Sequence, residues 1–381
     1  MRGALLSEDE RLIQATVREF ADQVLIPNAP GYDERNEFPW DNVHALAELG
    51  MFGLTIDEEY GGSGGTTRQL AIAVEEIARG CGSTSTIFVA HLGLCTHFIL
   101  RFGTEKQKQD WVQPLACAKK IGAFGLTEPL SGSDAAAMRT IVTKSKDHYV
   151  LNGTKLFTTN AAEAEIFLIL ATHDRAQRSR AIDAFIVERG TEGFTVNPQH
   201  GKMGMRATST AELVFEDCEI PEENIIGAQG EGFGETMEIL NSSRISIAAQ
   251  CVGLAQAAYD ASVDYAQRRE AFGQRISGFQ GLQWVIADMA TDIEAARALV
   301  MRAATLRDEG LPFVTEAAMA KLFASRVAVE SADRSMQIHG GTGYFAPTVV
   351  ERLYRDAKVT EIYEGTSEIQ RTIIARNLIG L

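Results

Sequence analysis

The spacing of the apolar residues changes twice along the 381-residue chain, and this limits the folds that the chain can adopt. From residue 7 to about residue 119 they recur at three- and four-residue steps, which is typical of amphipathic helices. From 121 to 226, short β-type runs alternate with Gly, Asp and Asn turns, which indicates strands. The helical spacing returns after the glycine-rich stretch 227–234. The predicted order is therefore α–β–α.

The N-terminal region contains clear helix boundaries. Ser7 and Glu10 form a capping-box pattern, and the apolar residues after them predict a helix that ends at Pro27. Further helices are predicted at 39–49, 66–79 and 83–102, with Thr104 as a candidate cap of another short one.

The later regions complete the predicted fold. No long helical pattern interrupts the central strands, which argues against βαβ units and for an antiparallel sheet. Four helical patterns follow, and they predict an up-and-down bundle. They span 235–269, 279–309, 315–339 and 366–378. The fold class is thus α+β: an N-terminal helical domain (1–119), a central antiparallel β barrel or sandwich (120–227) and a C-terminal four-helix bundle (228–381).

Charge and composition exclude several function classes. Lys and Arg total 36 against 51 Asp and Glu, a formal net charge of −15, so the chain lacks the basic surplus that nucleic-acid binding needs. The acidic surplus fits either a solvated surface or attraction to a basic partner, and composition does not choose between them. Apolar residues make up 45 % and charged residues 23 % of the chain, as in globular rather than disordered proteins.

Cysteine usage and the lack of leader-like features predict a cytoplasmic protein. The five cysteines include no CxxC pair and the histidines no HExxH, so we expect a reducing compartment, no disulfide and no metal site. The first ten residues carry acids early, unlike a secretory or organellar leader. No run approaches about 18 apolar residues, so no membrane span is expected.

Two glycine-containing segments have competing interpretations. Segment 61–65 (GGSGG) matches the G-x-S-x-G elbow of hydrolases, which would make Ser63 a nucleophile. That elbow needs a strand leading into it, whereas this region is helical, so a flexible loop is favoured. Segment 124–134 (FGLTEPLSGSD) offers hydroxyls and glycines that let a ligand approach the backbone, but a plain turn explains it equally well.

Three features of the C-terminal region are also ambiguous. Segment 337–343 (QIHGGTG) fits a glycine helix cap or a phosphate cradle. Segment 361–368 (EIYEGTSE) places Glu364 on a loop with the freedom to reach into a cleft, or is a turn capped by Thr366 or Ser367. Arg244 lies in an otherwise small, apolar stretch, and a buried arginine there would need an acidic partner or an anionic group.

Taken together, these segments resemble the acyl-CoA dehydrogenase family of flavoenzymes over nearly the whole chain. Segment 124–134 resembles the flavin-loop signature, and 337–371 resembles the second family signature. Further segments resemble the family between and beside these two, in the family's order. They are 153–160 (GTKLFTTN), 203–217, 230–256 and 269–280. The resemblance implies a helical domain, a β barrel or sandwich and a four-helix bundle, with FAD bound non-covalently between subunits of a homotetramer.

The resemblance implies two sets of FAD contacts. The set on the central domain is Phe124, Leu126, Thr127, Gly132, Ser133, Phe157, Thr158 and Thr159. The second set lies on a neighbouring subunit or near the terminal helix, and it consists of Arg269, Phe272, Gln280, Gln337, Ile338, His339, Gly340, Gly341, Thr366, Ser367 and Glu368.

The resemblance also implies a substrate site and a base. Acyl-CoA would contact Ser133, Asn241, Ser243, Arg244 and Gly365. Glu364 matches the catalytic base of short- and medium-chain members. Some relatives carry the base at the position of Ser243, which cannot act as a base. The implied reaction is α,β-dehydrogenation to a trans-2-enoyl-CoA, in which Glu364 removes the α-proton and the β-hydride passes to flavin N5.

Two residues depart from the family pattern. Phe157 stands in place of the usual tryptophan, and Ala271 stands where many relatives have threonine, so we expect altered flavin binding. An electron-transfer flavoprotein is the implied electron acceptor. The alternatives are a non-redox CoA-binding or scaffold protein of the same fold, or a Ser63 hydrolase, and the sequence leaves the acyl group open.

Overall fold

The computed structural model describes residues 6–380, in which a helical region, a sheet and a second helical region follow one another. This order confirms the predicted α+β fold class. The first region contains eight α-helical segments among the described residues. They are α1 (Glu8–Phe20), α2 (Ile26–Arg35), α3 (Trp40–Glu48), α4 (Thr67–Gly80), α5 (Gly82–Val89), α6 (His97–Phe102), α7 (Glu105–Gln107) and α8 (Gln113–Ala116). Capping boxes begin α1, α4 and α7, at Ser7, Thr66 and Thr104.

The first helix continues past Pro27, so the predicted end there was wrong. A π-helical turn, Ala21–Leu25, leads directly into α2, in which Pro27 is the second residue. Pro27 therefore lies inside a continuous helical run, directly after the π-helical turn, and prolines and π-turns are both common points of helix bending. The helix ends instead at Asn36, whose φ is 51°.

The segment from α5 to α6 is one long apolar helix with a π-helical stretch, Ala90–Thr96, in its middle. Over Gly82–Phe102 its mean hydropathy reaches 1.3, and it is long and apolar enough to cross a membrane. The sequence predicted a helix at 83–102 but not its strongly apolar character, because a few hydroxyl and imidazole side chains interrupt the run. In the structure 94 % of its most apolar 18-residue stretch is buried, as in the core helix of a globular protein.

The central region forms one eight-stranded sheet. Its strands are β1 (Gly122–Gly125), β2 (Ile141–Ser145), β3 (His148–Thr159), β4 (Ile166–Thr172), β5 (Ile182–Glu188), β6 (Phe194–Pro198), β7 (Thr210–Pro221) and β8 (Ile225–Ile226). Their order is β6–β7–β3–β2–β4–β5–β8, with β1 beside β4. Strands β4 and β5 are almost completely buried, and together they form much of the core of this region.

The sheet is mostly, but not wholly, antiparallel. Strand β1 pairs with β4 in parallel, from Gly122 opposite Ile166 to Gly125 opposite Ile169. A short parallel pairing also joins β2 to β4. The prediction of an antiparallel sheet was incomplete, because the β2–β3 hairpin lies between β1 and β4 in the chain. It therefore supplies the crossover that a helix supplies in a βαβ unit.

The second helical region is a bundle with a small β-hairpin at one end. Its elements are α9 (Gly232–Arg268), β9 (Glu270–Ala271), β10 (Gln274–Arg275), α10 (Gln280–Asp308), α11 (Val314–His339), α12 (Val349–Lys358) and α13 (Ser367–Ile379). Helix α9 packs along α11 on one side and against α4 of the first region on another. Asp308 also joins the two helical regions, since its carboxylate accepts hydrogen bonds from the first backbone amides of α4 at 2.7 and 3.0 Å.

Gly253 allows the close approach of α9 to α4. A Cβ at Gly253 would lie 2.2 Å from the carbonyl oxygen of Glu75 and 2.9 Å from the amide nitrogen of Arg79. Backbone atoms cannot move aside as the end of a flexible side chain can, so any side chain here must separate the two helices.

We therefore predict that Gly253→Ala lowers the free energy of unfolding by roughly 1–3 kcal/mol, the usual cost of overpacking. The matched control is Gly234→Ala on the same helix, where a Cβ has no neighbour within 4 Å. This control should be neutral or stabilising by up to about 1 kcal/mol, because alanine is the better helix former. Thermal unfolding of both variants checks the contrast, and equal midpoints would contradict it.

Candidate functional site

The turn that carries Glu364 has an unusual backbone. Glu364 has φ 51° and Gly365 has φ 96°, so two consecutive residues lie in the left-handed region. A left-handed conformation is costly for a glutamate and is maintained only where the surroundings enforce it. Immediately after it, Thr366 caps α13 by accepting a hydrogen bond from the Ile369 amide, as one of the two sequence interpretations predicted.

The Glu364 carboxylate lies against helix α9. Its Oε2 accepts a hydrogen bond from the hydroxyl of Ser243. Burial raises the pKa of Glu364, while the Ser243 hydrogen bond and the charges of Lys321 and Arg244 oppose that rise. A carboxyl group with a raised pKa and a fixed orientation is suited to accept a proton near neutral pH.

Arg244 lies beside Glu364 and is only 4 % exposed. Its guanidinium donates to Asn241 on the same helix, and its Nε is buried without a hydrogen-bond partner. Burial lowers the pKa of Arg244, and Glu364 opposes this effect. A buried, incompletely paired guanidinium next to Asn241 suits a polar or anionic ligand group. The structure thus brings Asn241, Ser243, Arg244 and Glu364 together, with Gly365 adjoining them.

The predicted flavin loop continues from strand β1 of the sheet. Phe124 and Leu126 are half-buried, and the Thr127 carbonyl accepts the Leu156 amide of β3 at 2.7 Å. Gly132 and Ser133 lie farther along the loop and are exposed. The loop is closed by paired backbone hydrogen bonds between Glu128 and Ser131, at 2.9 and 3.2 Å.

A β-bulge in β3 sets the position of Phe157. The register of β3 against β7 shifts between Lys155 and Thr158, and within this bulge Phe157 has φ 57° and is 66 % exposed. Next to it, the Thr158 hydroxyl is buried without a partner, and Thr159 continues the strand. An exposed aromatic ring beside an unpartnered hydroxyl fits a flat, hydrogen-bonding group such as a flavin.

A buried ion pair lies beneath this loop and was not predicted from the sequence. Lys155 Nζ lies 2.7 Å from Glu128 Oε1, and both side chains are almost fully buried. The Glu128 carboxylate also accepts the amide of Thr140 at 2.9 Å. Burial lowers the pKa of Lys155 to about 8, against the opposing effect of Glu128. For Glu128, burial would raise the pKa, but Lys155 and the hydrogen bonds hold it below its usual value.

The second predicted set of FAD residues lies at one end of the bundle. Arg269 and Phe272 lie at the β9–β10 hairpin, Gln280 begins α10, and the run from Gln337 through Ile338, His339 and Gly340 to Gly341 ends α11. Gly340 is the C-cap of α11, with φ 57°. The ring of His339 stacks on Tyr265 with the centroids 4.2 Å apart, and Phe272 is 95 % exposed. Within residues 6–380, no hydrogen bond joins this set to Phe124 or Phe157.

The remaining predicted site residues separate into two groups. Thr366, Ser367 and Glu368 begin α13 directly after the Glu364 turn, with Glu368 exposed. Ser63 lies on an exposed loop after a 3₁₀ turn, Glu58–Tyr60, and its amide donates to the Gly53 carbonyl at 2.9 Å. A hydrolase elbow requires a strand at this point. The local geometry therefore gives the Ser63 alternative no support.

Protein-family comparison matches all three regions of the chain. The matches are to the acyl-CoA dehydrogenase N-terminal domain over residues 7–119, the middle domain over 123–218 and the C-terminal domain over 230–379. The chain belongs to the acyl-CoA dehydrogenase family.

Individual relatives agree over almost the full length. A short-chain specific acyl-CoA dehydrogenase of Clostridium acetobutylicum is 46 % identical over 370 residues, which are 97 % of this chain and 98 % of the relative. The butyryl-CoA dehydrogenase of Megasphaera elsdenii superposes with a TM-score of 0.96 at 40 % identity, covering 98 % of this chain and 99 % of the other. A chain from a study of the electron transferring flavoprotein of Acidaminococcus fermentans superposes with a TM-score of 0.97 at 44 % identity, covering 99 % of both chains.

These findings confirm several predictions at once. The protein is an oxidoreductase of the acyl-CoA dehydrogenase type, and the cofactor of this family is FAD, as the sequence analysis expected. The bulge around Phe157 and the unpartnered Thr158 hydroxyl are consistent with that cofactor. What the sequence analysis missed is the support behind the site, above all Lys155 with Glu128 and Lys321 behind the Glu364 turn.

The Lys155–Glu128 pair leads to a prediction for the enzyme. Lys155→Met should lower the free energy of unfolding by roughly 3–5 kcal/mol, because it leaves an unpaired buried charge, and should reduce the FAD content. The double variant Lys155→Met/Glu128→Gln should regain most of that loss, since the amide that replaces the carboxylate carries no charge. The matched control, Lys144→Met on β2, breaks an exposed pair with Glu222 and should cost no more than about 1 kcal/mol. A double variant as unstable as Lys155→Met would contradict the conclusion that the unpaired charge of Glu128 causes the loss.

Proposed function

We propose that the enzyme oxidises a short-chain acyl-CoA thioester to the trans-2-enoyl-CoA, with Glu364 as the base. The observation that carries this proposal is the position of the Glu364 carboxylate, which is bonded to Ser243, lies beside the buried Arg244 and is held on a left-handed turn. Bound FAD would supply the oxidant, by accepting the β-hydrogen as a hydride. The chain's own residues bind the substrate, orient it and remove its α-proton.

The chain has to orient a carboxylate and keep it basic. Ser243 donates to one oxygen of Glu364 and so leaves the other free to accept the α-proton. The raised pKa of Glu364, caused by burial, makes the carboxylate a stronger base than an exposed glutamate. The backbone N–H of the same residue is in reach of the thioester oxygen on which negative charge develops, as the family resemblance implies.

The apolar helix packs against α9 beside the base, and the relatives favour a short acyl chain. Gly93, in the π-helical stretch between α5 and α6, faces Ser243, and a Cβ there would lie 3.9 Å from the Ser243 Cβ. The Cγ1 of Val89 would lie 3.7 Å from the same position. Both are ordinary contact distances, so the two helices pack directly against each other next to Glu364. The similarity to butyryl-CoA and short-chain dehydrogenases supports a short acyl chain as the substrate.

Subunit assembly and the electron acceptor belong to the same proposal. The two sets of FAD residues lie on different parts of one chain, and Phe272 and Trp284 expose 95 % and 64 % of their surface near the second set. Large apolar side chains exposed to this extent mark interaction surfaces. This supports completion of the FAD site by a second subunit, within a homotetramer. An electron-transfer flavoprotein is the proposed electron acceptor, supported by the similarity to the Acidaminococcus chain. The cytoplasmic location stays a prediction.

The first test is Glu364→Gln. This variant should retain FAD, because Glu364 lies outside the proposed flavin contacts, and should lose at least about 1,000-fold in kcat, because no carboxylate remains to take the α-proton. In the unchanged enzyme, kcat/KM should increase with pH as Glu364 ionises, with a midpoint above the usual pKa of a glutamate. Glu309→Gln, an exposed acid at the end of α10, is the matched control. Substantial turnover by Glu364→Gln would refute the role of the base.

The second test is anaerobic titration with straight-chain, branched and dicarboxylic acyl-CoA thioesters. Butyryl-CoA should bleach the flavin absorbance at the lowest concentration, and thioesters of eight or more carbons should bleach it poorly, as expected for a chain similar to short-chain specific and butyryl-CoA dehydrogenases. Bleaching mainly by long chains would contradict the assigned chain length. The absence of bleaching by any thioester would favour a non-redox CoA-binding protein of the same fold.

A further inference from the structure

A second buried charge lies behind the proposed catalytic turn. Lys321 of α11 is 0 % exposed, and its Nζ donates a hydrogen bond of 2.8 Å to the carbonyl oxygen of Gly365. Within residues 6–380, no carboxylate lies within salt-bridge distance of this ammonium. Burying a lysine in this way is costly, and such residues are seldom kept without a partner for the charge.

The residues around Lys321 are small. It lies in the face of α11 that contacts α9, between Ala317 and Ala324, both fully buried. Lys321 is nevertheless among the largest fully buried side chains of the described residues, and a methionine could fill the same space without a charge. The volume of the side chain therefore does not explain its charge, and the ammonium end must be explained by what it faces.

The Glu364 turn is held from three directions. From α9, Gln250 accepts a hydrogen bond from the Tyr363 hydroxyl, and Ser243 bonds the Glu364 carboxylate. From α13, the Gln370 amide donates to the Gly365 carbonyl at 2.8 Å. From α11, Lys321 donates to that same carbonyl. The carbonyl that follows the left-handed glutamate thus has two donors, and one of them is charged.

The groups facing the Lys321 ammonium leave Glu364 as its natural counter-charge. Burial raises the pKa of the Cys251 thiol to about 12, so that side chain is neutral. Glu361 pairs with Lys358 at 2.6 Å. Glu368 is exposed and lies 3.6 Å from Arg371.

The remaining neighbours do not change this conclusion. The Tyr363 phenol stays neutral, because burial raises its pKa well above the ordinary value. Arg244 is positive like Lys321, and so competes with it for the same carboxylate.

We propose that Lys321 is a positioning residue for the dehydrogenation, which fixes the Glu364–Gly365 turn through the Gly365 carbonyl and stabilises the ionised Glu364 with a buried positive charge. This inference rests on the proposed function of Glu364. Burial lowers the pKa of Lys321 to about 8, while the negative charge of Glu364 opposes this effect. Losing that charge would raise the pKa of Glu364.

The test compares Lys321→Met, which has no charge and no donor, with Lys321→Gln, which keeps a donor. In Lys321→Met we expect kcat to fall roughly 10- to 100-fold, as for a misplaced catalytic group, with KM changed less than about threefold. The acid limb of the kcat/KM profile should move to higher pH in both variants, and Lys321→Gln should recover part of kcat if its amide reaches Gly365. Lys106→Met, on the exposed surface of α7, is the control. An unmoved pH profile in a folded, FAD-containing Lys321→Met would overturn the charge role.

A thermal unfolding cycle covers the case in which Lys321→Met does not fold. If the two charges stabilise each other, the double variant Glu364→Gln/Lys321→Met should lose less free energy of unfolding than the two single variants lose together. It should also be recovered as soluble protein. Additive losses, or failure of both the single and the double variant, would overturn the proposal and leave Lys321 a packing role. The cycle requires no turnover, so it still decides the Lys321–Glu364 link if no acyl-CoA reduces the flavin and the proposed function fails.

Discussion

The close packing of α9 is the constraint on which the rest of the structure depends. This helix contacts α4 of the first region, α11 and α10 of the bundle and, near its N-terminus, strand β5. It can do so because its central turns carry alanine and glycine, and Gly253 allows the α4 backbone to approach to contact distance. A helix with larger side chains would need wider spacing on every side. The same helix carries Ser243, Arg244 and Gln250, so the packing also sets the geometry around Glu364, the proposed base.

That geometry explains why Glu364 can keep a strained conformation. The turn lies between α9, α11 and α13. Helix α9 contributes a hydrogen bond to the Glu364 carboxylate, and α11 and α13 each contribute one to the Gly365 carbonyl. Strain of this kind costs of order 1–3 kcal/mol, which the surrounding contacts have to offset. A loop supported from one side only would relax to an extended conformation. The rigidity of the Glu364 turn therefore depends on three helices whose separations are set by small residues.

Local signals in the sequence predicted four of the five described bundle helices, all but α12, and pointed to part of the candidate site, whereas contacts between distant segments were missed. The parallel pairing of β1 with β4, for example, leaves no periodic trace. Glu364 and Arg244 stood out because a loop carboxylate beside glycine and an arginine among apolar residues are visible locally. Lys321 has the same signature among the alanines of α11, and the reasoning applied to Arg244 would have found it. Lys155 shows no such signal, because its partner Glu128 is 27 residues away and only the folded sheet brings the two together.

The buried charges also change the meaning of the acidic surplus. A net charge of −15 describes the whole chain, but the proposed site contains two buried cations, Arg244 and Lys321, and one half-buried acid, Glu364. Interactions among these groups act through a medium of low dielectric constant, whereas charges on the surface are screened by water and salt. The positive charges of Lys321 and Arg244 oppose the rise that burial causes in the pKa of Glu364. An acidic protein can therefore bind the anionic CoA moiety of a substrate, because the nearest charges, not the total, decide the local potential.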